Sequence, residues 1–160
     1  MAEESKLENL KKSYSNIQEK YNLPKFEELN KDFHIEKIAE SETELLLSEI
    51  RRMLGDKLAN YLRFVESLLN PANVPMFIYS IIKSLNEADK KNLSEIYKKL
   101  AENEIEFIKL DIEADDAKDA EFIKESFKLW KGVQKDLVVM VGKVEEKKEI
   151  KPENNKGYFG

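Results

Sequence analysis

The most constraining feature of this sequence is a series of apolar residues that recurs at intervals of three and four positions. Over residues 47–68 the spacing never breaks, which places these side chains on one face of a long α-helix. The series is Leu47, Ile50, Leu54, Leu58, Tyr61, Val65 and Leu68. A chain with such a seam has to bury it against other helices, because packing of the apolar face supplies most of a helix's stability in water.

Similar spacing predicts a first helix that ends near Tyr21, followed by a short helix over 25–31 that begins after Pro24. Residues 33–38 alternate imperfectly between apolar and polar and are expected to form an extended connector. Ser41, with a glutamate three residues later, has the pattern of a capping box for the seam helix. We expect that helix to end near residue 70, before a proline.

The segment 74–85 is apolar nearly all round, which predicts a central, buried helix. Asn73 is its expected N-cap, and Pro75 is expected in its first turn. We predict five buried core residues in the whole chain. They are Leu58, Phe77, Ile81, Leu100 and Trp130.

Two further helices follow. Asn86, with Asp89 three residues on, predicts the start of the first, and Asp115 or Asp116 is expected to cap the second. The apolar residues expected on one face of the first are Leu93, Ile96, Leu100, Ile105, Ile108 and Ile112. Those expected on the second are Ile123, Phe127, Trp130, Leu137, Val141 and Val144. Gly132 lies inside the second helix, as does a glycine ten residues later, and each weakens its continuity.

Together these elements predict an all-α, single-domain helical bundle with three long helices and a buried medium helix. The domain is expected to span residues 1–146, and residues 147–160 to form a polar, disordered tail. The chain of 160 residues has five glycines and 37% charged residues, a composition typical of amphipathic helices with charged outer faces.

Several classes of function conflict with the composition. With no cysteine, the chain has no disulfide framework, thiolate metal site or cysteine nucleophile. A net charge of −5 argues against a general nucleic-acid binder, and no DNA partner is expected, although a local basic face is compatible with it. The first residues lack the pattern of a secretory signal, and the richest apolar run, 74–82, is about half of a membrane span. We therefore expect a cytoplasmic protein that does not enter a membrane.

Candidate catalytic residues are few. His34 is the single histidine and is expected to be an ordinary connector residue, and no glycine-rich phosphate loop is present. The acidic run 111–121 does not match a calcium loop, because its glycine and bidentate glutamate positions hold other residues. Helix capping is the favoured reading of that run, and a divalent-metal hydrolase built on Glu113, Asp116 and Asp119 is the less favoured one. We predict a protein that is not an enzyme and has no cofactor.

The basic residues point to an alternative function, RNA binding. Five lysines are candidates for one RNA-binding face: Lys83, Lys90, Lys91, Lys98 and Lys99. Acidic residues lie among them, so a mixed solvated face is also possible. The adjacent pair Arg51 and Arg52 is expected at the solvated surface.

The chain ends with Tyr158, Phe159 and Gly160 after a polar stretch. Two adjacent aromatic residues at such an end are typical of a short linear motif that enters a pocket on a partner, although they could also fold back on the bundle. We therefore predict a non-enzymatic helical interaction protein that presents a charged surface and an aromatic tail to a protein partner. The alternative is an RNA- or ribosome-associated factor.

Three segments also carry a resemblance. The stretch YNLPKFEELN over 21–30, the stretch LNPANVP over 69–75 and the terminal YFG resemble a group of small, uncharacterised archaeal helical proteins. The resemblance implies a cytoplasmic archaeal protein and no particular reaction or ligand.

Overall fold

A computed structural model describes residues 2–41 and 43–159, with side chains described as far as residue 145. These residues form helices and no strand, which confirms the predicted all-α fold. A 3-10 helix over Ile35–Ser41 separates the second and third α-helices. The α-helices are α1 (Ala2–Tyr21), α2 (Phe26–Phe33), α3 (Leu46–Leu69), α4 (Met76–Ser84), α5 (Glu87–Ile112) and α6 (Asp116–Phe159).

Helix α3 is the centre of the bundle, with α5 and α6 packed along it. The predicted seam is its buried face, and Ile50, Leu54 and Val65 are completely shielded from solvent. Contacts of Ser48 with Asp119 and of Tyr61 with Trp130 show that α6 runs parallel to α3. Helix α5 runs antiparallel to α6.

Helices α1 and α2 pack against the 3-10 helix and against α3. The Tyr14 hydroxyl donates a hydrogen bond to the main-chain oxygen of Pro24, and its ring meets that of Phe26 edge to face at 5.5 Å. Burial raises the pKa of Tyr14 far above its ordinary value. These contacts fix the turn between α1 and α2.

The expectation of an extended connector over 33–38 is wrong, because the chain coils into the 3-10 helix instead. His34 ends α2 in a left-handed conformation (φ 54°) and is exposed, as an ordinary connector residue is. The new direction is held by Asn30, whose Oδ1 accepts a hydrogen bond from the main-chain N–H of Glu36 at 2.9 Å. The hydrogen bonding between Asn30 and Glu36 therefore accompanies a 3-10 helix in place of the predicted extended backbone.

Two of the predicted helix starts are wrong, and two are confirmed. The Ser41 hydroxyl donates to the main-chain oxygen of Ile38, and α3 begins only at Leu46. Asn73 has a left-handed backbone (φ 58°), and α4 begins after Pro75. The expected capping box of Asn86 and Asp89 is present at the start of α5. Asp115 Oδ1 accepts the Lys118 N–H at 3.1 Å, as a cap of α6 does.

Helix α4 buries one face and not its whole circumference. Ile78 and Ile81 point inward, whereas Phe77, predicted in the core, is 63% exposed. The helix packs on the bundle from the side, against α6 and α3. Phe77 stays at the surface because no helix within the described part of the chain packs on the other face of α4. The other four predicted core residues are buried.

The predicted apolar face of α5 is correct only in its first half. Ile105, Ile108 and Ile112 are about half or more exposed, and Phe107 and Leu110 face the core instead. The step from Leu100 to Ile105 turns the helix by about 500°, which places the isoleucines on a different side. On α6, Val141 is also partly exposed.

Candidate functional site

A groove of about 580 Å³ with a largely apolar lining runs between α3 and α6. Helix α3 contributes Tyr61, a half-buried member of the seam, and Phe64 beside it. Helix α6 contributes Trp130, Gln134, Leu137, Val138, Val141 and Gly142. We call it the α3–α6 groove. From Trp130 to residue 145 it extends along about 22 Å of α6, or about four helical turns.

The walls of the α3–α6 groove expose apolar side chains to solvent. Val138 is 68% exposed and Val141 41%, while Tyr61 and Phe64 are half-buried. Tyr61 packs against Trp130 with ring centroids 4.9 Å apart, so that the floor is aromatic. These side chains give the groove an apolar wall against which the apolar face of another helix can pack.

Lys57 forms one end of the groove. Its Nζ lies 4.6 Å from the ring centroid of Trp130 and 5.3 Å from that of Phe33, and it donates a hydrogen bond to the main-chain oxygen of Asp32. Burial lowers the pKa of the Lys57 ammonium, and the nearby Asp32 carboxylate acts in the opposite direction. A cation held over aromatic rings thus closes this end of the groove.

Asp32 holds a second cation beside Lys57. Its Oδ2 lies 2.6 Å from Lys131 Nζ, a close ion pair whose angles are poorly aligned for a hydrogen bond. The Asp32 side chain is 6% exposed and that of Lys131 is 42% exposed. One carboxylate and two ammonium groups leave this end with a net positive charge. At the opposite end, exposed Glu145 supplies a negative charge.

Sequence reasoning missed this site, although a signal for it exists. Lys57 and Phe64 lie four residues before and three residues after Tyr61, a member of the seam of α3. Phe64 and the aliphatic stem of Lys57 therefore widen the apolar face beyond what one neighbouring helix covers. The charge cluster has no comparable signal, because Asp32 reaches Lys57 and Lys131 only through the tertiary fold.

The prediction that Arg51 is solvated is wrong, whereas Arg52 is 55% exposed, as expected. Arg51 lies inside the bundle, 1% exposed, and its Nε is 2.9 Å from Asp119 Oδ1. The Ser48 hydroxyl donates to the other Asp119 oxygen at 3.2 Å. Burial raises the pKa of Asp119, and Arg51 and Ser48 counteract that rise. This pair joins α3 to α6.

The proposed metal residues do not meet at one point. Asp119 is directed into the bundle toward Arg51, while Glu113 and Asp116 are exposed near the turn. No group of three or more carboxylate or histidine side chains among the described residues is arranged to hold a metal ion.

The five lysines of the alternative RNA-binding face do not all lie on one side of the fold. Lys83 lies on α4 and the others on α5. Lys90 borders a hollow next to Leu68 and Ile82, whereas Lys99 borders the side of α5 that faces α6. Nine residues correspond to about half a turn beyond two full turns, so these two lysines point in opposite directions. RNA binding by this set stays a prediction.

The predicted partner-binding residues at the C-terminus are Tyr158, Phe159 and Gly160. Gly160 and the side chains of Tyr158 and Phe159 lie outside the described residues, as do the side chains of the predicted tail from residue 147 onward.

Within the described part of the chain, no helix combines the length and the apolar character that crossing a membrane requires. Comparisons of the sequence with family models and curated proteins, and of the fold with solved structures, found no match. The resemblance to archaeal helical proteins stays a prediction.

Proposed function

We propose that this protein is a non-enzymatic interaction module that binds a helical segment of another protein in the α3–α6 groove. The observation that carries the proposal is the solvent-exposed apolar wall formed by Val138 and Val141 opposite Tyr61 and Phe64. Burial of apolar surface on binding would supply the driving force, at about 25 cal/mol of free energy for each Å² removed from water.

The dimensions of the groove support a helix as the occupant. About four turns of α6 border it, which matches a partner helix of about 15 residues with apolar side chains at intervals of three and four. Lys57 at one end and Glu145 at the other would favour a helix with an acidic residue toward Lys57 and a basic residue toward Glu145. Helices present their apolar face to such grooves without unpaired backbone groups.

The aromatic end of the chain remains part of this proposal. Tyr158 and Phe159 could each bury about 150–250 Å² in a pocket on the partner, in addition to contacts at the groove. Deleting residues 158–160 would test this contribution separately, and we expect weaker partner binding at an unchanged melting temperature.

A pair of neighbouring valines gives a matched test of the groove. Val138 and Val139 are similarly exposed, at 68% and 62%, but only Val138 borders the groove. We expect Val138→Glu to abolish binding of partners captured from the native host, and Val139→Glu to retain it. Candidate partners are then titrated as purified proteins, with the fluorescence of Trp130, the single tryptophan, as the reporter.

A dye experiment checks the groove without a partner. An anilinonaphthalene sulfonate dye bound in the groove should accept energy from Trp130 in the wild type and in Val139→Glu, and lose this signal in Val138→Glu. Equal behaviour of the two variants in both experiments would contradict the proposal.

A further inference from the structure

A second groove lies between α5 and α6. Two hollows of about 450 and 380 Å³ share Lys99, Glu125 and Leu129, so they form one continuous depression, which we call the α5–α6 groove. It extends from Lys118 to Asp136, which is about 27 Å along α6. A helix of about 18 residues has this length.

The floor of the α5–α6 groove is apolar. Leu110 and Phe122 form it in one half, and Ile96 and Val133 in the other, with half-buried Leu129 between them. One polar contact crosses close to it, where Asn103 Nδ2 donates to Ser126 Oγ at 2.8 Å. Because these polar groups are paired, the floor favours an apolar side chain over a polar one.

The rim of the groove is acidic. Six carboxylates border it against three lysines, a net charge of 3 − 6 = −3. The carboxylates are Glu95, Glu102 and Glu106 on α5 and Glu121, Glu125 and Asp136 on α6. Glu106 pairs with Lys109, and Glu121 with Lys124, both at 3.2 Å. Within the described part of the chain, Glu102 and Glu125 form no ion pair.

We infer that the α5–α6 groove binds an amphipathic helix of a partner protein whose apolar stripe is flanked by lysine or arginine. The apolar floor would receive the stripe, and the free carboxylates on both helices would meet the flanking cations. A nucleic acid fits poorly here, since its phosphates would face the acidic rim. The inference is independent of the α3–α6 groove.

The test uses a defined probe: a fluorescently labelled 18-residue helical peptide made of leucine and lysine, with leucine at intervals of three and four. Its binding to the full chain is followed by fluorescence anisotropy at low and at physiological salt. The variant Glu102→Gln/Glu125→Gln should weaken binding by about tenfold at low salt, since two charge contacts are lost.

Three controls decide between this site and general attraction to an acidic protein. Glu66→Gln/Glu113→Gln removes the same charge from exposed positions outside the groove, and binding should stay within about twofold of wild type. A peptide with glutamate in place of lysine should not bind. The loss caused by Glu102→Gln/Glu125→Gln should be the same in a Val138→Glu background, where the α3–α6 groove is blocked, which separates the two sites.

The inference is overturned if the two double variants weaken binding equally, or if the groove variant binds the basic peptide as wild type does. Binding of the glutamate peptide with equal affinity would also overturn it, because the acidic rim would then have no role.

Discussion

Arg51 Nε lies 2.9 Å from Asp119 Oδ1, and the two side chains are 2% and 0% exposed. The contact joins the central helix α3 to the first turns of α6, and the Phe107 ring covers the guanidinium at 5.5 Å. A buried charge is costly unless it is paired, so each residue depends on the other.

We therefore expect Arg51→Met to lower the free energy of unfolding by about 3–5 kcal/mol, since Asp119 would be left buried without its cation. Urea denaturation measures the loss. Arg52→Met, at the exposed neighbouring position, should change stability by less than about 1 kcal/mol. Arg51→Met/Asp119→Leu should recover much of the loss, because an apolar pair has no charge to compensate. Equal effects of the two single variants would contradict the buried pair.

Asp89 makes stability depend on pH. Its Oδ2 accepts from Lys143 Nζ at 2.6 Å and from the Asn86 N–H at 3.0 Å, and these bonds lower the pKa of Asp89 below its ordinary value of 3.8. A lowered pKa in the folded state stabilises the protein above the unfolded-state pKa, and the stabilisation disappears as the pH falls through the folded-state pKa.

Lys143→Met should accordingly reduce stability at neutral pH, and the difference from wild type should shrink as the pH falls below about 4. Thermal denaturation over a pH series measures this. In an Asp89→Asn background, the same lysine substitution should show no such pH dependence. A loss that is constant with pH would mean that Lys143 acts through packing alone.

Gly55 is required by close packing between α3 and α5. A Cβ atom at this position would overlap the Phe107 ring. Gly55→Ala should therefore cost about 1–3 kcal/mol, despite the better helix propensity of alanine. Gly132 is the matched control, since a Cβ there meets nothing within 4 Å, and Gly132→Ala should add about 1 kcal/mol to stability. Denaturation curves that move in the same direction for both variants would refute this packing.

Phe77 and Ile81 lie on the same short helix with opposite environments, 63% and 5% exposed. Phe77→Ala should cost less than about 1 kcal/mol, whereas Ile81→Ala should cost about 2–5 kcal/mol because it leaves a cavity. Chemical denaturation compares them. A larger loss of stability for Phe77→Ala than for Ile81→Ala would show that Phe77 is buried, in agreement with the central position that the sequence predicted for α4.

The sequence by itself determined the helical segments and several of their ends. Local spacing identified the seam of α3, and local side-chain bonding identified the capping box of Asn86 and Asp89. Both depend on residues at most one turn apart, so they can be recognised in the sequence alone.

Tertiary structure decided which of these faces are covered. Phe77 and Ile105 are as apolar as buried residues, yet they are exposed because none of the described helices covers them. Arg51 is as polar as surface residues, yet it is buried because Asp119 of another helix compensates its charge. The α3–α6 groove arises for the same reason, since Tyr61 meets Trp130 only after α3 and α6 pack in parallel. Burial depends on partners that are distant in the sequence, and helix periodicity carries no information about them.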